Sequence, residues 1–266
     1  MPTEDRAAST ARAATHTAGS RGIGNRAGQI ALVTGANKGI GLEIARQLAR
    51  RGMTVYVGAR DRGRGIAAAE KLQDEGLAAR FVELDVLREE TIRAAAATIE
   101  AAHGRLDVLV NNAGIADRAD GLPSRAELDA VRRTLLTNFV GPAAVAQAML
   151  PLLRRSPAGR IVNVSSGLGS LAKNADPGWQ FAEVKFLGYN ASKAALNMLT
   201  VQLAYELRDT PIKVNSADPG YTATDLNDCR GTQTIEEGAA EAVRLALLPA
   251  DGPSGGYSSS AGTLPW

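Results

Sequence analysis

A tyrosine and a lysine four positions apart are the residues of this sequence best suited to moving a proton. Tyr189 and Lys193 open an apolar-periodic segment that runs to about Arg208, which predicts a helix. Residues four apart lie on one face of a helix, so the phenol and the ammonium point the same way. A nearby ammonium favours the phenolate, and such a pair can give a proton to a carbonyl oxygen and take it back from an alcohol. The pair also occurs by chance on solvated helices, so its meaning depends on the elements around it.

The elements that must position this pair alternate between strand and helix along the chain. Buried-strand runs are found at residues 30–33, 54–57, 80–84, 107–110, 160–164 and 212–216. Room for one more short strand follows Gly255. This alternation predicts a single Rossmann-type, doubly wound α/β domain with a mainly parallel sheet of about seven strands and helices on both faces. Ligands bind at the carboxyl ends of the strands in such sheets.

Two helix starts and one interruption are predicted from local sequence. Ser124 with Glu127, and Thr234 with Glu237, have the spacing of capping boxes. The first of these should open a long helix that runs toward Leu153. Pro142 lies within that helix and should bend or divide it, because proline cannot donate the backbone hydrogen bond of a helix interior.

A glycine-rich turn between the first strand and its helix predicts a dinucleotide-binding loop. The turn follows the strand at residues 30–33, and an amphipathic helix continues to about Arg50. Gly35 allows the tight turn, Gly39 lets the backbone approach a pyrophosphate, and Gly41 permits close packing of helix and strand. The unpaired N–H groups at the start of the helix then face the phosphates.

The end of the second strand predicts which dinucleotide is bound. An NAD-specific site places an acidic residue roughly 20 positions past the glycines to hold the ribose 2′-hydroxyl, and here that region carries Arg60. A guanidinium suits a 2′-phosphate, with Lys38 and Arg64 as helpers. Asp61 follows one position later and is the alternative ribose partner. We therefore predict NADP(H) rather than NAD(H).

Composition excludes several other classes of protein. The 266 residues are 45% apolar and 22% charged, as in an ordinary globular domain, and the net charge of +2 does not favour nucleic acid or an anionic membrane as a partner. No uninterrupted apolar run is long enough to span a bilayer, and no secretory signal pattern opens the chain. The single cysteine, Cys229, excludes an internal disulfide and is compatible with the cytoplasm, where we expect the protein.

Metal and histidine chemistry are not expected either. The two histidines, His16 and His103, lack the neighbours that a Ser-His-Asp hydrolase or a zinc site requires. We therefore expect no metal. Residues 1–28 are rich in Ala, Arg, Ser, Thr and Gly without an apolar period, which predicts a disordered N-terminal extension. An organelle-targeting segment is the alternative, and Glu4 and Asp5 count against it. Residues 29–266 are predicted to form the catalytic domain.

Several further short patterns occur in an order that resembles a known family. They are Thr34-Gly35-x-x-x-Gly39-Ile40-Gly41, Asn111-Asn112-Ala113-Gly114, Ser166, Tyr189-x-x-x-Lys193 and Pro219-Gly220. Together they resemble the short-chain dehydrogenase/reductase family from about Gln29 onward. Within that family, three stretches are similar to the NADPH-dependent carbonyl reductases, namely Ala36-Asn37-Lys38, Ala59-Arg60-Asp61 and Leu264-Pro265-Trp266.

The resemblance implies a catalytic tetrad. Tyr189 would be the general acid and base, and Lys193 would bind the nicotinamide ribose and lower the Tyr189 pKa. Ser166 would hydrogen-bond the substrate oxygen. Asn138 would hold a water that links Lys193 to solvent; the alternative for Asn138 is a helix residue bonded only to nearby backbone.

The resemblance also assigns residues to the cofactor. Asn37, Lys38 and Ile40 belong to the glycine loop. Asp85 would bind the adenine amino group with Val86 beside it, and Asn112 would lie near the adenosine ribose. The nicotinamide side would meet a further set, namely Pro219, Gly220, Thr222 and Thr224.

Two segments are expected to shape the substrate pocket. The stretch 171–188 between Ser166 and Tyr189 is longer than in many family members and contains Trp179, Phe181 and Phe186. It resembles inserts of carbonyl-reductase-like members, although its aromatic residues could also simply pin a surface loop. Residues 221–233 carry little apolar pattern and are hypothesised to form a mobile lid, in which Cys229 is a bystander.

These patterns predict an NADP(H)-dependent oxidoreductase that reduces a small aldehyde or ketone, or oxidises the corresponding alcohol. The same site acting on a 3-oxoacyl compound or a quinone is the first alternative. A non-catalytic NADP(H)-sensing regulator is the second, and it is disfavoured because such proteins typically lose the tyrosine or the lysine. The sequence names no particular substrate and leaves a homodimer and a homotetramer equally open.

Overall fold

An eight-stranded sheet forms the centre of the molecule in the computed structural model, which describes residues 26–266. The strands are β1 (Ile30–Thr34), β2 (Thr54–Ala59), β3 (Ala79–Glu83), β4 (Val108–Asn111), β5 (Arg160–Val164), β6 (Lys213–Ala217), β7 (Gly256–Ser259) and β8 (Gly262–Thr263). Their spatial order is β3-β2-β1-β4-β5-β6-β7-β8, with β1 to β7 parallel and β8 antiparallel to β7. The strand order reverses between β1 and β4, which places the topological switch point at their carboxyl ends.

Helices cover both faces of this sheet. They are α1 (Gly39–Ala49), α2 (Arg62–Asp74), α3 (Glu89–His103), α4 (Leu128–Leu135), α5 (Gly141–Leu153), α6 (Leu171–Ala175), α7 (Leu187–Glu206) and α8 (Ile235–Ala246). One hydrophobic cluster joins the sheet to α1, α2 and α8, and a second joins it to α3, α5 and α7. The predicted doubly wound α/β class is therefore confirmed, with the two-residue β8 as an eighth strand beyond the expected seven.

The two clusters follow from the alternation of side chains along each strand. In β1, Ile30 and Leu32 enter the cluster under α3 and α5, whereas Ala31 and Val33 enter the cluster under α1 and α8. Because both faces are covered, all five residues of this strand are buried. A continuous apolar run rather than an alternating one is what such a strand requires.

The long helix after β4 differs from the prediction at its start. The Ser124–Glu127 capping box is not formed, because the Glu127 N–H donates to the Ala119 carbonyl at 3.1 Å and residues 122–125 make a turn instead. The helix begins at Leu128 with Glu127 as its N-cap. The second box is confirmed: Thr234 accepts from the Glu237 N–H while the Glu237 carboxylate accepts from the Thr234 N–H.

Pro142 modifies this helix without stopping it. A π-helical turn, Leu136–Val140, joins α4 to α5, and Pro142 lies in the first turn of α5. The joined helix Leu128–Leu153 is long and apolar enough to cross a membrane by length and composition alone, a test that core helices also pass. Half of its most apolar window is buried in the domain. Charged and polar residues interrupt this helix, among them Arg132, Asn138 and Gln147, so it is not the uninterrupted apolar run whose absence was expected.

Most of the predicted N-terminal extension, residues 1–25, lies outside the described residues. Arg26 contacts the domain: its backbone N–H donates to the Arg51 carbonyl and its guanidinium donates to the Leu247 carbonyl at 2.8 Å. Gly28 accepts a hydrogen bond from Arg105 at 2.9 Å. The chain therefore enters β1 alongside the ends of α1 and α8.

Candidate active site

The glycine turn lies at the switch point and adopts the backbone that it needs. Gly35 and Gly39 have φ values of +62° and +56°, in the left-handed region that favours glycine. A Cβ on Gly35 would lie 2.9 Å from the Ala113 Cα, so the turn passes close to the end of β4. A Cβ on Gly41 would lie 2.6 Å from the Gly35 carbonyl oxygen. Gly35 and Gly41 thus close the turn tightly.

Gly39 differs from these two because the space where its Cβ would lie is open to at least 4 Å. It is the first residue of α1, whose N-cap Lys38 makes no side-chain hydrogen bond to the helix. The helix N-terminus therefore presents unpaired N–H groups over an open surface, which suits a phosphate. Asn37 and Ile40 flank this opening in the chain. The residues present fit the pyrophosphate of a dinucleotide.

Asn112 and Thr34 hold the glycine turn against β4. The Asn112 amide nitrogen donates to the carbonyls of Thr34 and Gly35, at 2.9 and 3.2 Å. The Thr34 hydroxyl accepts from the backbone N–H groups of Asn112 and Ala113, both at 3.0 Å. Asn112 was predicted to lie near a ribose, and the structure places it beneath the turn, where its side chain fixes the loop.

The charged residues after β2 are arranged in favour of a 2′-phosphate. Asp61 is the N-cap of α2 and accepts from the Arg64 N–H at 2.9 Å, and its second oxygen accepts from the Arg64 guanidinium at 3.2 Å. These bonds lower the Asp61 pKa, led by the one from the Arg64 N–H. The carboxylate that could compete for a ribose hydroxyl is therefore engaged in capping. Arg60 is exposed at the carboxyl end of β2.

The adenine end of the predicted site lies after β3. Asp85 accepts from the Leu87 N–H at 3.0 Å, and its backbone N–H donates to the Thr91 hydroxyl at 3.0 Å. Val86 is 8% exposed and lies against α5, where a Cβ on Gly141 would be 2.8 Å from the Val86 Cβ. The turn 85–88 is thereby fixed with Asp85 at the same edge of the sheet as the glycine loop.

Three of the four predicted catalytic residues lie together where the carboxyl end of β5 meets the start of α7. Tyr189 lies in the first turn of α7, and the Ser166 side chain lies close enough to its hydroxyl to act on the Tyr189 pKa. Ser166 follows β5 and also accepts from the Leu168 N–H at 3.2 Å. The Lys193 ammonium lies 5.7 Å from the centre of the Tyr189 ring and donates to the Val164 carbonyl at 2.8 Å. Lys193 is buried, with 5% of its surface exposed.

Burial governs the protonation of this pair. Burial raises the pKa of Tyr189 to about 12. The Ser166 side chain opposes this rise, and the nearby Asp218 carboxylate adds to it. Burial lowers the pKa of Lys193 to about 8, with Asp218 opposing the change. The expected lowering of the Tyr189 pKa is therefore not found in this arrangement. The physical reason is that desolvation penalises the phenolate while the ammonium is directed at the Val164 carbonyl.

Asn138 lies in the π-helical turn and is fully buried. Its side-chain oxygen accepts from the Ile115 N–H at 2.8 Å, and its nitrogen donates to the Ile115 carbonyl and to the Ser192 hydroxyl, at 2.9 and 3.0 Å. A Cβ on Gly114 would lie 3.3 Å from the Asn138 oxygen and 3.6 Å from the Lys193 nitrogen. Asn138 thus joins the loop after β4 to α7 next to Lys193.

Sequence analysis missed a carboxylate that caps α7. Asp120 accepts from the backbone N–H groups of Gly188 and Tyr189, at 2.9 and 2.8 Å. A Cβ on Gly188 would lie 2.9 Å from the Val131 Cα, so glycine is needed for the helix to start this close to α4. No local pattern marks Asp120, because the helix end that it caps is 69 positions away in the chain.

Two further polar groups were also missed around Ser166. The Tyr257 hydroxyl on β7 donates to the Ser166 carbonyl at 2.5 Å. Asp218, directly after β6, accepts from the Gly220 N–H at 3.0 Å, and the backbone N–H of Gly167 helps to hold down the pKa of its carboxyl. Asp218 could have been found from sequence, since it is a carboxylate at the carboxyl end of a strand beside Pro219-Gly220.

The segment after Pro219 is tied into a compact loop. Thr222 is 3% exposed and donates to the Pro219 carbonyl at 2.9 Å, and Thr224 caps a short 3₁₀ turn, Asp225–Asn227. Thr222 therefore uses its hydroxyl within the loop, and the backbone N–H of Thr224 donates to the Asn227 side chain at 3.1 Å. The side-chain oxygen of Gln233 is buried without a partner among the described residues, and it occupies the space where a Cβ on Gly220 would lie. That orphaned acceptor suits an amide such as the nicotinamide carboxamide.

Two exposed ion pairs span the mouth of the cleft. Lys38 in the glycine loop pairs with Asp225, and Arg118 pairs with Asp228 at 3.3 Å. Asp228 and Cys229 have positive φ values of 52° and 58°, so this part of the hypothesised lid is held in the left-handed region. Exposed pairs of this kind contribute little, typically about 0–1 kcal/mol.

Aromatic residues of the 171–188 insert line the other side of the site. Trp179 contacts Phe181 edge-to-face at 5.6 Å between ring centres, and Phe181 lies 5.6 Å from Tyr221. A Cβ on Gly167, next to Ser166, would lie 3.3 Å from the Trp179 ring. The insert therefore reaches the loop after β5 that carries Ser166, whereas Phe186 is 42% exposed. Within residues 26–266, no cluster of His, Cys, Asp and Glu could hold a metal ion.

Comparison with known proteins agrees with this geometry. The family model for short chain dehydrogenases matches residues 29–234. Carbonyl reductase (NADPH) 1 of Mus musculus is 36% identical, over 89% of this chain and 98% of the relative. The chain therefore belongs to the short-chain dehydrogenase/reductase family, as the sequence patterns predicted. It is an oxidoreductase of that family.

Solved structures of the same family superpose on the whole domain. Salutaridine reductase from Papaver somniferum matches with a TM-score of 0.75 and 31% identity, covering 86% of this chain and 99% of that one. A gluconate 5-dehydrogenase from Burkholderia cenocepacia, solved with NADP and tartrate, matches with a TM-score of 0.76 and 30% identity, covering 88% and 93%. The relatives include reductases and dehydrogenases, so fold and family leave the substrate open.

Proposed function

We propose that this protein is an NADP(H)-dependent reductase of small carbonyl compounds, and equally the dehydrogenase of the corresponding alcohols. The observation that carries the proposal is the convergence of Ser166, Tyr189 and the buried Lys193, whose ammonium lies 5.7 Å from the centre of the Tyr189 ring. Two hydroxyl donors at one point can both bond an oxygen on which negative charge develops. Residues 29–266 would form the catalytic unit.

Each residue of the tetrad has a role in this proposal. Tyr189 gives its proton to the carbonyl oxygen during reduction and removes it from the alcohol during oxidation. Ser166 bonds the same oxygen and orients it. Lys193 holds the nicotinamide ribose and keeps a positive charge beside the phenol, and Asn138 positions the backbone and water next to Lys193. NADPH, when bound, supplies the hydride that the carbonyl carbon accepts.

The cofactor preference rests on the residues after β2. Arg60 is free to meet a 2′-phosphate, with Arg64 and Lys38 nearby, while Asp61 is engaged as a helix cap. The mouse relative is named for NADPH and the Burkholderia structure contains NADP, which supports the same choice. The adenosine would meet Asp85, Val86 and Asn112, and the nicotinamide would meet the loop at Pro219, Gly220, Thr222 and Thr224.

The aromatic wall of the insert and Tyr221 suits a substrate with apolar surface next to its carbonyl. The partner is therefore a small molecule, with no role for nucleic acid or membrane. A cytoplasmic location and a homodimer or homotetramer stay predictions.

The test measures NADPH and NADH oxidation with a panel of aldehydes, ketones, 3-oxoacyl esters and quinones, for the wild type and Tyr189→Phe. We expect turnover with NADPH that falls by about 10²-fold or more in the variant while NADPH still binds. Turnover restricted to 3-oxoacyl esters or quinones would change the substrate class within the same mechanism. NADPH binding with no turnover on the whole panel would overturn the proposal in favour of a non-catalytic NADP(H)-sensing protein.

A further inference from the structure

Asp218 occupies a position between the two loops that form the catalytic edge. Its backbone N–H donates to the Ser258 carbonyl at 2.8 Å, which continues the pairing of β6 with β7. Its side chain then turns toward β5. One oxygen accepts from the Gly220 N–H at 3.0 Å, and the other lies against Gly167, 3.2 Å from where a Cβ on that residue would be. The carboxylate therefore bridges the loop that carries Ser166 and the loop that begins with Pro219.

The space around this carboxylate is too small for a larger neighbour. A Cβ on Gly167 would lie 3.2 Å from an Asp218 oxygen and 3.3 Å from the Trp179 ring. Asp218 is thus enclosed between the backbone after Ser166 and the aromatic wall of the insert. A glycine at position 167 is what allows the carboxylate to approach the serine loop so closely.

Charged and titratable groups face Asp218 from three other elements. Lys173 approaches from α6, Lys193 and Tyr189 from α7, and Tyr257 from β7. The two ammonium groups attract the carboxylate, whereas the two phenols would repel it on ionisation. Asp218 is therefore the negative member of a cluster that contains both proposed proton-transfer residues.

We propose that Asp218 is a positioning residue of the catalytic site, which joins the Ser166 loop to the Pro219–Gly220 loop and places a fixed negative charge beside the Tyr189–Lys193 pair. The inference rests on the proposed function, because it assigns Asp218 a role through those two residues. Asp218 does not itself exchange a proton with the substrate. It acts on the residues that do.

The negative charge of Asp218 sets the direction in which it changes the pKa values of Lys193 and Tyr189. A carboxylate stabilises the ammonium form of Lys193 and disfavours the phenolate form of Tyr189, so it raises the pKa of both. Burial raises the pKa of Asp218 itself, and the Gly220 and Gly167 N–H groups with Lys173 and Lys193 oppose that rise. Asp218 thus keeps Lys193 charged and Tyr189 protonated, which is the state that reduction of a carbonyl requires.

The Asp218→Asn variant distinguishes two roles of Asp218, holding the two loops together and supplying a negative charge. Asparagine has the same shape and keeps one acceptor oxygen, but it has no charge. If the charge matters, the pH profiles of alcohol oxidation and carbonyl reduction both move toward acid, by about one unit or more. If Asp218 only holds the loops, the rates fall while the profiles keep their positions. Asp120→Asn is the matched control, since that carboxylate bonds the backbone of α7.

The experiment measures kcat/KM against pH for the wild type, Asp218→Asn, Asp218→Glu and Asp120→Asn, using the best substrate of the carbonyl panel. We expect the acid shift in Asp218→Asn alone, with the wild-type position retained in Asp218→Glu. Equal profiles in Asp218→Asn and the wild type would overturn the inference. Asp218→Ser carries the same expectation and is measured if the asparagine variant does not fold.

A second measurement does not depend on turnover. The phenolate absorbance of Tyr189 is obtained as the difference between each protein and its Tyr189→Phe counterpart, followed over pH. We expect ionisation of Tyr189 to begin at lower pH in Asp218→Asn than in the wild type. If the wild type turns over nothing but this shift occurs, the proposed function fails and the charge effect stands. An unshifted titration in an active enzyme contradicts the role of Asp218.

Discussion

The Asp120 carboxylate accepts a hydrogen bond from the backbone N–H of Tyr189 at 2.8 Å, and from that of Gly188 at 2.9 Å. The N-cap residue of α7, Phe186, makes no side-chain hydrogen bond of its own. A carboxylate from a distant loop therefore supplies the cap and places a negative charge at the positive end of the helix. The same two bonds set the position of the Tyr189 backbone.

Replacing Asp120 by Ala should lower stability and turnover together. Loss of a helix cap costs about 0.5–2 kcal/mol, and a displacement of the phenol by about 1 Å can lower the rate about 10²-fold. NADPH affinity should change much less, because Asp120 bonds the start of α7 and, among the described residues, makes no hydrogen bond to the glycine turn. Asp129→Ala is the matched control, since Asp129 is an exposed carboxylate in the first turn of α4. Full kcat in a folded Asp120→Ala protein would exclude the positioning role.

Carbonyl reduction should fail as pH rises through about 8. The reaction needs Tyr189 protonated and Lys193 charged, and their pKa values of about 12 and about 8 leave both in the required state at pH 7. Above about pH 8, Lys193 loses its proton and kcat/KM should fall about tenfold per unit. Arginine stays charged to far higher pH, so kcat/KM of Lys193→Arg should not fall above about pH 8, even if its rate is lower. If kcat/KM falls at the same pH in both proteins, a group other than Lys193 causes the fall.

Gly39 and Gly104 allow the phosphate role to be separated from backbone strain. Both have positive φ, +56° and +71°, and both have open space where a Cβ would lie. Alanine at either position should therefore cost a similar amount of stability, about 1–2 kcal/mol. Gly39→Ala should also weaken NADPH binding, because its methyl group would project where the pyrophosphate is expected. Calorimetric titration with NADPH measures the difference, and equal affinities for the two variants would contradict the site.

Arg60 should decide between the two nicotinamide cofactors. Arg60→Ala is expected to raise the Km for NADPH about tenfold or more and to leave that for NADH nearly unchanged, because only NADPH carries the 2′-phosphate. The control is Arg62→Ala: this arginine is equally exposed, but its guanidinium lies 6.0 Å from the centre of the Phe81 ring. A wild-type cofactor ratio in Arg60→Ala would show that another residue reads the phosphate.

Residues 221–233 should gain protection from hydrogen exchange when NADPH binds. The Lys38–Asp225 pair links this loop to the glycine turn, so cofactor at the turn changes the partner available to Lys38. The backbone of α3 serves as the reference, because it lies away from the cleft. Comparable protection of the loop with and without NADPH would remove the lid hypothesis.

Much of the fold could be predicted from local sequence. Strands such as β1 are buried on both faces, so their composition alone marks them as central. The Thr234–Glu237 cap was found because both partners are three positions apart. Ser124 and Glu127 have the same spacing, but the Ala119 carbonyl accepts the N–H of Glu127, and local spacing does not reveal that competition.

The parts of the site that escaped prediction depend on contacts between distant segments. Asp120 and Tyr257 carry no pattern near them, yet one caps α7 and the other bonds the Ser166 carbonyl. Lys193 shows the same limit. Spacing places its ammonium near Tyr189, but only the folded chain reveals that the Val164 carbonyl receives it and that burial sets the direction of both pKa changes.

The π-helical turn Leu136–Val140 makes the number of residues in this helix critical. A π turn contains one residue more than an α turn of the same length, and each residue of an α-helix rotates the next by about 100°. Deleting one residue there would restore regular helix and turn the whole of α4 to a different face. Ala130 and Thr134 would leave the interior, and the surface next to Gly188 would be lost. A single-residue deletion in this segment is therefore expected to do far more damage than a substitution at one of its exposed positions, Leu136 or Val140.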